Sequence, residues 1–326
     1  MVRGAAPHET NSEHAGPTLP AVGGAAAETW TATPRTGIVL ILATGLFFSL
    51  LDTIAKYLAA DYPVIQVVWA RYLFQMLMVP FMLGGVNVVR VLRTNNLPLQ
   101  IVRSLFLLGA TAFFFTALRF LPLADATAIG FVAPLFLTAL SIPMLGERVG
   151  LRRWSAVIAG FIGALVIIRP GLGVAHWAVV LPLATALCFS LYQITTRLLV
   201  TVDPPRTTFV YTGLVGTLVM TAVVPFVWRP PSAAAWGLMV CAGLLGGVGH
   251  YCLIKAYQRT AASVLAPFTF STMVWVTLLG LVVFGDFPDG PTLVGALIII
   301  ASGVYVFYRE GVVKRRTRER DTAARQ

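Results

Sequence analysis

Asp52, Lys56, Arg71, Arg103 and His250 are ionisable side chains set in stretches of this chain that are otherwise nearly all apolar. An ionisable group at such a position is expensive, and it normally faces a partner or a water-filled cavity. Asp52 and Lys56 stand four residues apart, so on a helix they share one face. A turn signal at Asp61-Tyr62-Pro63 puts Arg71 on the return path at the depth of Asp52. These three residues describe either a charged site for a polar or zwitterionic substrate or an Asp–Arg pair that only ties two helices together. Lys56 lies near enough to the end of its stretch to reach water along its own stem. Arg103, about four residues into its stretch, has the same escape, with substrate contact as the other reading. His250 lies about two turns inside and has no such route. With Tyr192 and Gln193 it forms an inner polar group that either lines a cavity, where the imidazole could carry a proton, or packs as a neutral core histidine. Phe268 and Trp275 supply aromatic surface that suits a flat substrate or simple packing.

No covalent chemistry is suggested by this inventory. The apolar stretches hold no paired carboxylates and no nucleophile–base arrangement. The phosphate-binding pattern G-x-x-x-x-G-K-[ST] is absent, so ATP is not expected to drive this chain. His8 and His14, six apart in the N-terminal tail, are either a metal site or, as two histidines in a flexible tail usually are, simply solvated, and the scattered Cys188, Cys241 and Cys252 have neither metal-ligand spacing nor the pattern of a disulfide framework. No metal and no cofactor is expected.

The elements that must hold these residues are set by composition. The 326 residues are 57% hydrophobic and 11% charged. A soluble domain carries about 25% charged residues, so this chain belongs in a bilayer. Ten candidate spans can be drawn, at about 37–60, 64–86, 99–119, 123–145, 154–168, 175–199, 207–228, 234–257, 261–284 and 292–308. Net charge is +11, yet nucleic acid is not implied. If the N-terminus is cytoplasmic, eighteen of the 24 Lys and Arg lie on that side, three lie in spans, and only Arg119, Arg169 and Arg229 lie outside. That asymmetry predicts a plasma-membrane (inner-membrane) protein with both termini in the cytoplasm. The bilayer and a small-molecule substrate are its expected partners, and a homodimer is compatible with the sequence.

One unit occurs twice. ALRFLPLADATAIGFVAPLFLTALSIPMLGE, from Ala117 to Glu147, answers to AYQRTAASVLAPFTFSTMVWVTLLGLVVFGD, from Ala256 to Asp286. Both run from a small residue through a proline-bearing apolar span to Gly-acid, with the same Ala-to-Gly interval. Pro134 and Pro267 each interrupt a span and are expected kinks, although they are out of register. Five spans per copy is an odd number, so the second copy must enter the membrane in the opposite sense.

The segment LPLADATAIGFVAPLFLTALSIPMLGERVGLRRWSAVIAGFIGALVIIRPG, with Pro134, Gly146-Glu147, Gly163 and Arg169-Pro170-Gly171, resembles the drug/metabolite transporter superfamily, specifically proteins with two EamA repeats. The resemblance spans Gly37 to Tyr308, more loosely in the second copy. It implies an all-α integral membrane protein of ten transmembrane helices, built as two inverted five-helix repeats with a substrate cavity between the halves. It also implies secondary transport of a small metabolite, amino-acid-like, nucleoside-like or vitamin-like, by alternating access. The first copy is similar to members that take up S-adenosylmethionine or riboflavin, and other members export amino acids. The expected organisation is a disordered cytoplasmic tail (1–35), a first repeat (36–170), a second repeat (174–309) and a basic cytoplasmic tail (310–326). A membrane-embedded enzyme or a non-transporting interaction protein is the alternative.

Overall fold

The computed structural model describes residues 34–82, 91–146, 151–169, 177–199, 202–260 and 262–323. All regular structure among them is helical. Helix α1 is Pro34–Asp61, α2 Val64–Leu77, α3 Val79–Met82, α4 Leu97–Leu118, α5 Leu123–Gly130, α6 Ala133–Leu145 and α7 Leu151–Ile168. In the second half come α8 Val180–Leu199, α9 Pro205–Val223, α10 Ala233–Arg259, α11 Ala262–Thr269, α12 Ser271–Leu279 and α13 Gly290–Ala323. The tail expected from residue 310 therefore continues as helix to Ala323. The expected N-terminal tail and its two histidines lie outside the described residues up to 33, and so does Glu147.

Local chemistry explains where the helices start and stop. Asn96 caps α4 by accepting from the Leu99 N–H at 3.2 Å, and Ser232 caps α10 by accepting from Ala235 N–H at 3.2 Å. Gly146 (φ 67°) and Gly285 (φ 72°) end the repeated unit in the left-handed conformation, where a Cβ would be strained. The glycine of each Gly-acid pair is thus a helix stop.

Seven segments among the described residues are long and apolar enough to cross a membrane: Arg35–Asp61, Leu97–Leu118, Leu123–Leu145, Trp177–Leu199, Arg206–Val227, Ala233–Arg259 and Pro267–Phe284. Val64–Leu77, Trp154–Ile168 and Gly290–Tyr305 are shorter apolar helices. Bulky apolar side chains such as Phe226 (87% exposed), Val282 (80%) and Leu297 (66%) face outward, which suits lipid and not water. Polar groups go inward: Thr44, Ser49, Gln66, Arg71, Gln75, Gln100, Arg103 and Thr111 are all buried.

Helices pack across the two halves more than within them. The main partner of α1 is α10, and that of α4 is α8; α2 packs on α9, and α7 on α13. Exchanging the halves maps this pattern onto itself, as expected of two copies of one fold. The α7–α13 crossing is close because both helices place glycine there. A Cβ on Gly163 would stand 2.8 Å from the Gly295 carbonyl oxygen, and one on Gly295 would stand 2.5 Å from that of Gly163.

The segments carrying Pro134 and Pro267 are both broken. The first breaks at Phe131-Val132, between α5 and α6, with Pro134 in the first turn of the new helix, where a missing N–H costs little. The second breaks at Phe270, three residues after Pro267. The prolines are out of register, but the breaks are not. Phe131 and Phe270 stand 139 residues apart, the interval that separates Ala117 from Ala256. Their rings meet edge to face, with centroids 5.2 Å apart. Two equivalent positions, one from each half, are thus in mutual contact.

Candidate functional site

Arg103 is the centre of the polar interior. It sits on α4 and is 4% exposed. Its Nε donates to Thr196 Oγ1 (2.7 Å), Nη1 to the Thr208 carbonyl (3.1 Å) and Thr212 Oγ1 (2.6 Å), and Nη2 to the Tyr192 hydroxyl (2.7 Å). The guanidinium also lies 4.3 Å from the Tyr192 ring centroid, a cation–π distance. Of its five N–H groups, one on Nη2 has no partner among the described residues. None of its partners is a carboxylate. The side chain therefore does not run out to headgroups as its sequence position allowed. It turns inward because α8 and α9 offer a cage of neutral acceptors at its own level.

Beside it is a cavity of about 180 Å³, room for several waters. Its wall includes Gln75, Arg103, Tyr192, Thr196, Asp203, Thr208, Phe209, Thr212, His250, Leu253 and Ile254, drawn from α2, α4, α8, α9 and α10. His250 Nδ1 lies 2.9 Å from the Gly246 carbonyl one turn earlier. A carbonyl oxygen only accepts, so Nδ1 carries the proton and a neutral ring keeps Nε2 as an acceptor. Phe48 meets the imidazole edge-on at 5.0 Å.

Asp203 is the only acidic residue of the wall among the described residues, and its valences are spent. Its carboxylate accepts from Asn95 N (2.9 Å), Asn95 Nδ2 (3.3 Å), Gln100 Nε2 (2.8 Å) and Thr94 Oγ1. Burial pushes its pKa up, but these donors outweigh burial and hold it below the usual carboxylate value. The residue clasps the start of α9 to the turn before α4. The cavity wall thus keeps its positive charge.

The expected residues do not all stay together. Arg103, Tyr192 and His250 come together at the cavity; Gln193, although next to Tyr192, does not join its wall. Asp52 and Arg71, expected as a pair, form no ion pair or hydrogen bond with each other. Arg71 Nη1 donates instead to Thr111 Oγ1 on α4, with the rings of Tyr72 and Phe115 beside it, because α4 packs closer to this face of α2. Lys56 leaves the set altogether: its ammonium pairs with Asp286 at 2.7 Å and lies 4.6 Å from the Phe284 ring centroid. Phe268 is 36% exposed, and Trp275 packs against α1 at Gly45; neither borders the cavity.

The sequence reading did not single out Gln75, Thr196, Asp203, Thr208, Phe209 or Thr212. A signal existed in the run DPPRTTFVYT, whose Thr208 and Thr212 recur at helical spacing on an apolar stretch.

At the end of the bundle remote from Asp203, contacts join the halves. They include Lys56–Asp286, an Arg169–Asp289 ion pair, and a reciprocal pair in which Gln66 Nε2 donates to the Arg229 carbonyl (2.9 Å) and Arg229 N–H donates to Gln66 Oε1 (3.0 Å). Ser232 N–H donates to the Tyr62 hydroxyl at 3.1 Å.

Comparison with known proteins agrees with this architecture. The EamA-like transporter family matches the chain twice, over residues 35–169 and 176–308. The chain is similar to the riboflavin transporter of Vibrio cholerae, at 28% identity over 294 residues, 89% of this chain and 98% of the relative. It is similar to the S-adenosylmethionine uptake transporter of Rickettsia conorii, at 27% identity over 286 residues (87% and 96%). The pseudopaline exporter of Pseudomonas aeruginosa is 23% identical over 274 residues (82% and 94%). A crystal structure superposes with TM-score 0.58 at 20% identity, covering 83% of this chain and 96% of that one, and it supports the fold alone.

Proposed function

The chain belongs to the EamA-like transporter family, and from that premise we propose that it moves a small organic metabolite across the cytoplasmic membrane by alternating access. Family membership makes it a transporter and not an enzyme. The carrier has ten spans in two inverted repeats, with the three shorter apolar helices completing the seven longer ones. Both termini are cytoplasmic, since Lys and Arg crowd the loops at the Asp203 end. In that orientation the cavity belongs to the inner half, and the contacts at Lys56, Arg169 and Arg229 close the outer end. The structure is then an inward-facing state.

The observation that carries this reading is Arg103. A guanidinium buried without a carboxylate beside a cavity is costly in a membrane, on the order of 3 kcal/mol on insertion scales, and such groups mark substrate pathways. Its unspent N–H is a point for a substrate acceptor. Exchange between the halves supplies the motion. The breaks at Phe131 and Phe270 leave two half-helix pairs touching near the two-fold axis, where the repeats can rock. Relatives include both uptake carriers and an exporter, so direction follows the gradients.

The test is counterflow in proteoliposomes containing the purified protein alone. Loaded metabolites should exchange with labelled external ones, and Arg103→Gln should reduce that exchange. An absence of flux for every metabolite class in folded protein would remove the carrier reading.

A further inference from the structure

Resting on that carrier reading, we infer that the cavity takes a small organic anion, a single carboxylate on an apolar or aromatic body with no cationic group. The observation is a fork of two donors. Of the N–H groups of Arg103, the second on Nη2 is unspent among the described residues. The Tyr192 hydroxyl accepts the first, at 2.7 Å, and its own O–H has no acceptor among the described residues. Two free donors therefore stand on neighbouring atoms, 2.7 Å apart, and both residues line the cavity.

The adjacent hydroxyls are already committed. Thr196 Oγ1 donates to the Tyr192 carbonyl (2.6 Å) and Thr212 Oγ1 to the Thr208 carbonyl (2.9 Å), while each accepts from Arg103. A hydroxyl has a single proton to give, so neither can serve a ligand oxygen. The guanidinium and the phenol together call for an acceptor, and no carboxylate among the described residues supplies one. A carboxylate answers both donors, one with each oxygen, through charge-assisted bonds roughly twice as strong as neutral ones. A carboxamide would set an N–H against one of them.

The rest of the wall sets the body of the ligand. Phe209, Leu253 and Ile254 present apolar surface from α9 and α10. His250 keeps an acceptor at Nε2, which suits a hydroxyl on the body and opposes a second carboxylate. Asp203 already accepts four hydrogen bonds, so it does not await an ammonium or sulfonium group. The volume of about 180 Å³ is below the roughly 300–1,000 Å³ of sites for drug-sized ligands, so the body is small.

The probes are benzoate, benzamide and benzamidine, which share one planar frame and are an anion, a neutral molecule and a cation at neutral pH. Binding to the full-length protein in nanodiscs of zwitterionic lipid is read by isothermal titration and by thermal stabilisation. Benzoate should bind at least about tenfold tighter than benzamide, as for hydrogen bonds to a charged group, and benzamidine should not compete. Arg103→Gln should erase the preference for benzoate. Tyr192→Phe keeps the ring that lies 4.3 Å from the guanidinium and removes only the hydroxyl, so it should fold and reduce the preference several-fold. Equal binding of benzoate and benzamide, competition by benzamidine, or a preference that Tyr192→Phe leaves intact would overturn the proposal. So would no benzoate binding at millimolar concentration, or tighter binding of phenyl phosphate, which would assign the fork to phosphate esters. Counterflow of a metabolite mixture by the same protein separates the two readings. Flux without a benzoate preference refutes the anion site and leaves the carrier standing, and benzoate binding without flux does the reverse.

Discussion

Arg103 and His250 border one cavity but are held in opposite ways. Arg103 is tied to two other helices through Thr196, Tyr192, Thr208 and Thr212, so its removal takes the partner from the Tyr192 hydroxyl and unties α4 from α8 and α9. Arg103→Lys keeps the charge but not the planar fork. We expect Arg103→Lys to lose most counterflow activity and Arg103→Gln to lose at least about tenfold, as for one charged contact worth roughly 1.5–3 kcal/mol. Both variants should also show reduced folded yield. Initial-rate counterflow normalised to monodisperse protein checks this. His250 bonds only to a carbonyl of its own helix, so its removal orphans nothing on a neighbour. His250→Ala should therefore retain near-normal folded yield and lower transport per molecule. Reduced yield with normal transport per molecule would mark it as a packing residue.

The elements are joined by two different kinds of contact. One is the Asp203 clasp between the start of α9 and the turn before α4. Its folded pKa lies below the unfolded value near 3.9, so its contribution to stability is fully present above that value. The contribution is lost as pH falls through the depressed folded pKa. Asp203→Asn should lower the melting temperature at pH 7, and the gap to wild type should narrow below about pH 4. Thermal unfolding across pH 7 to 3 reads both. The other contact is the glycine crossing of α7 and α13, which depends on close approach. A methyl on Gly295 meets the Gly163 backbone oxygen at 2.5 Å, and backbone cannot step aside cheaply. Gly295→Ala should cost roughly 1–3 kcal/mol by overpacking, visible as a lower melting temperature. An unchanged value would mean that these helices separate without penalty.

For the whole molecule, the question is which end is closed. Lys56 and Asp286 belong to different halves and meet at the end remote from the cavity, at 15% and 38% side-chain exposure. An ion pair so placed contributes little to folding, about 0–1 kcal/mol. A contribution of that size is still enough to bias two conformations of similar energy. Lys56→Asp should repel Asp286, open that end and slow turnover, while Lys56→Asp combined with Asp286→Lys should restore it. Labelling of a cysteine placed near this end by an impermeant thiol reagent should rise in the single variant and fall in the double. A double variant no better than the single would show that the pair does not gate.

Hydropathy, charge asymmetry and the repeat were legible from residues alone because they are local properties. A run of apolar side chains partitions into lipid wherever its neighbours lie, and Gly146 and Gly285 stop their helices through their own backbone preference. The two broken segments were legible for the same reason, although not the register that brings Phe131 onto Phe270. Partnership was not legible. Depth along a span follows from counting residues, and it put Asp52 and Arg71 at one level. Rotation about the helix axis and the choice of neighbouring helix are decided by packing. Packing turned Arg71 to Thr111, sent Lys56 to an aspartate 230 residues away and drew Arg103 inward to α8 and α9. Gln75 and Asp203 became cavity residues only once α2, α9 and α10 stood side by side, because a cavity is a property of the space between helices and of no helix alone.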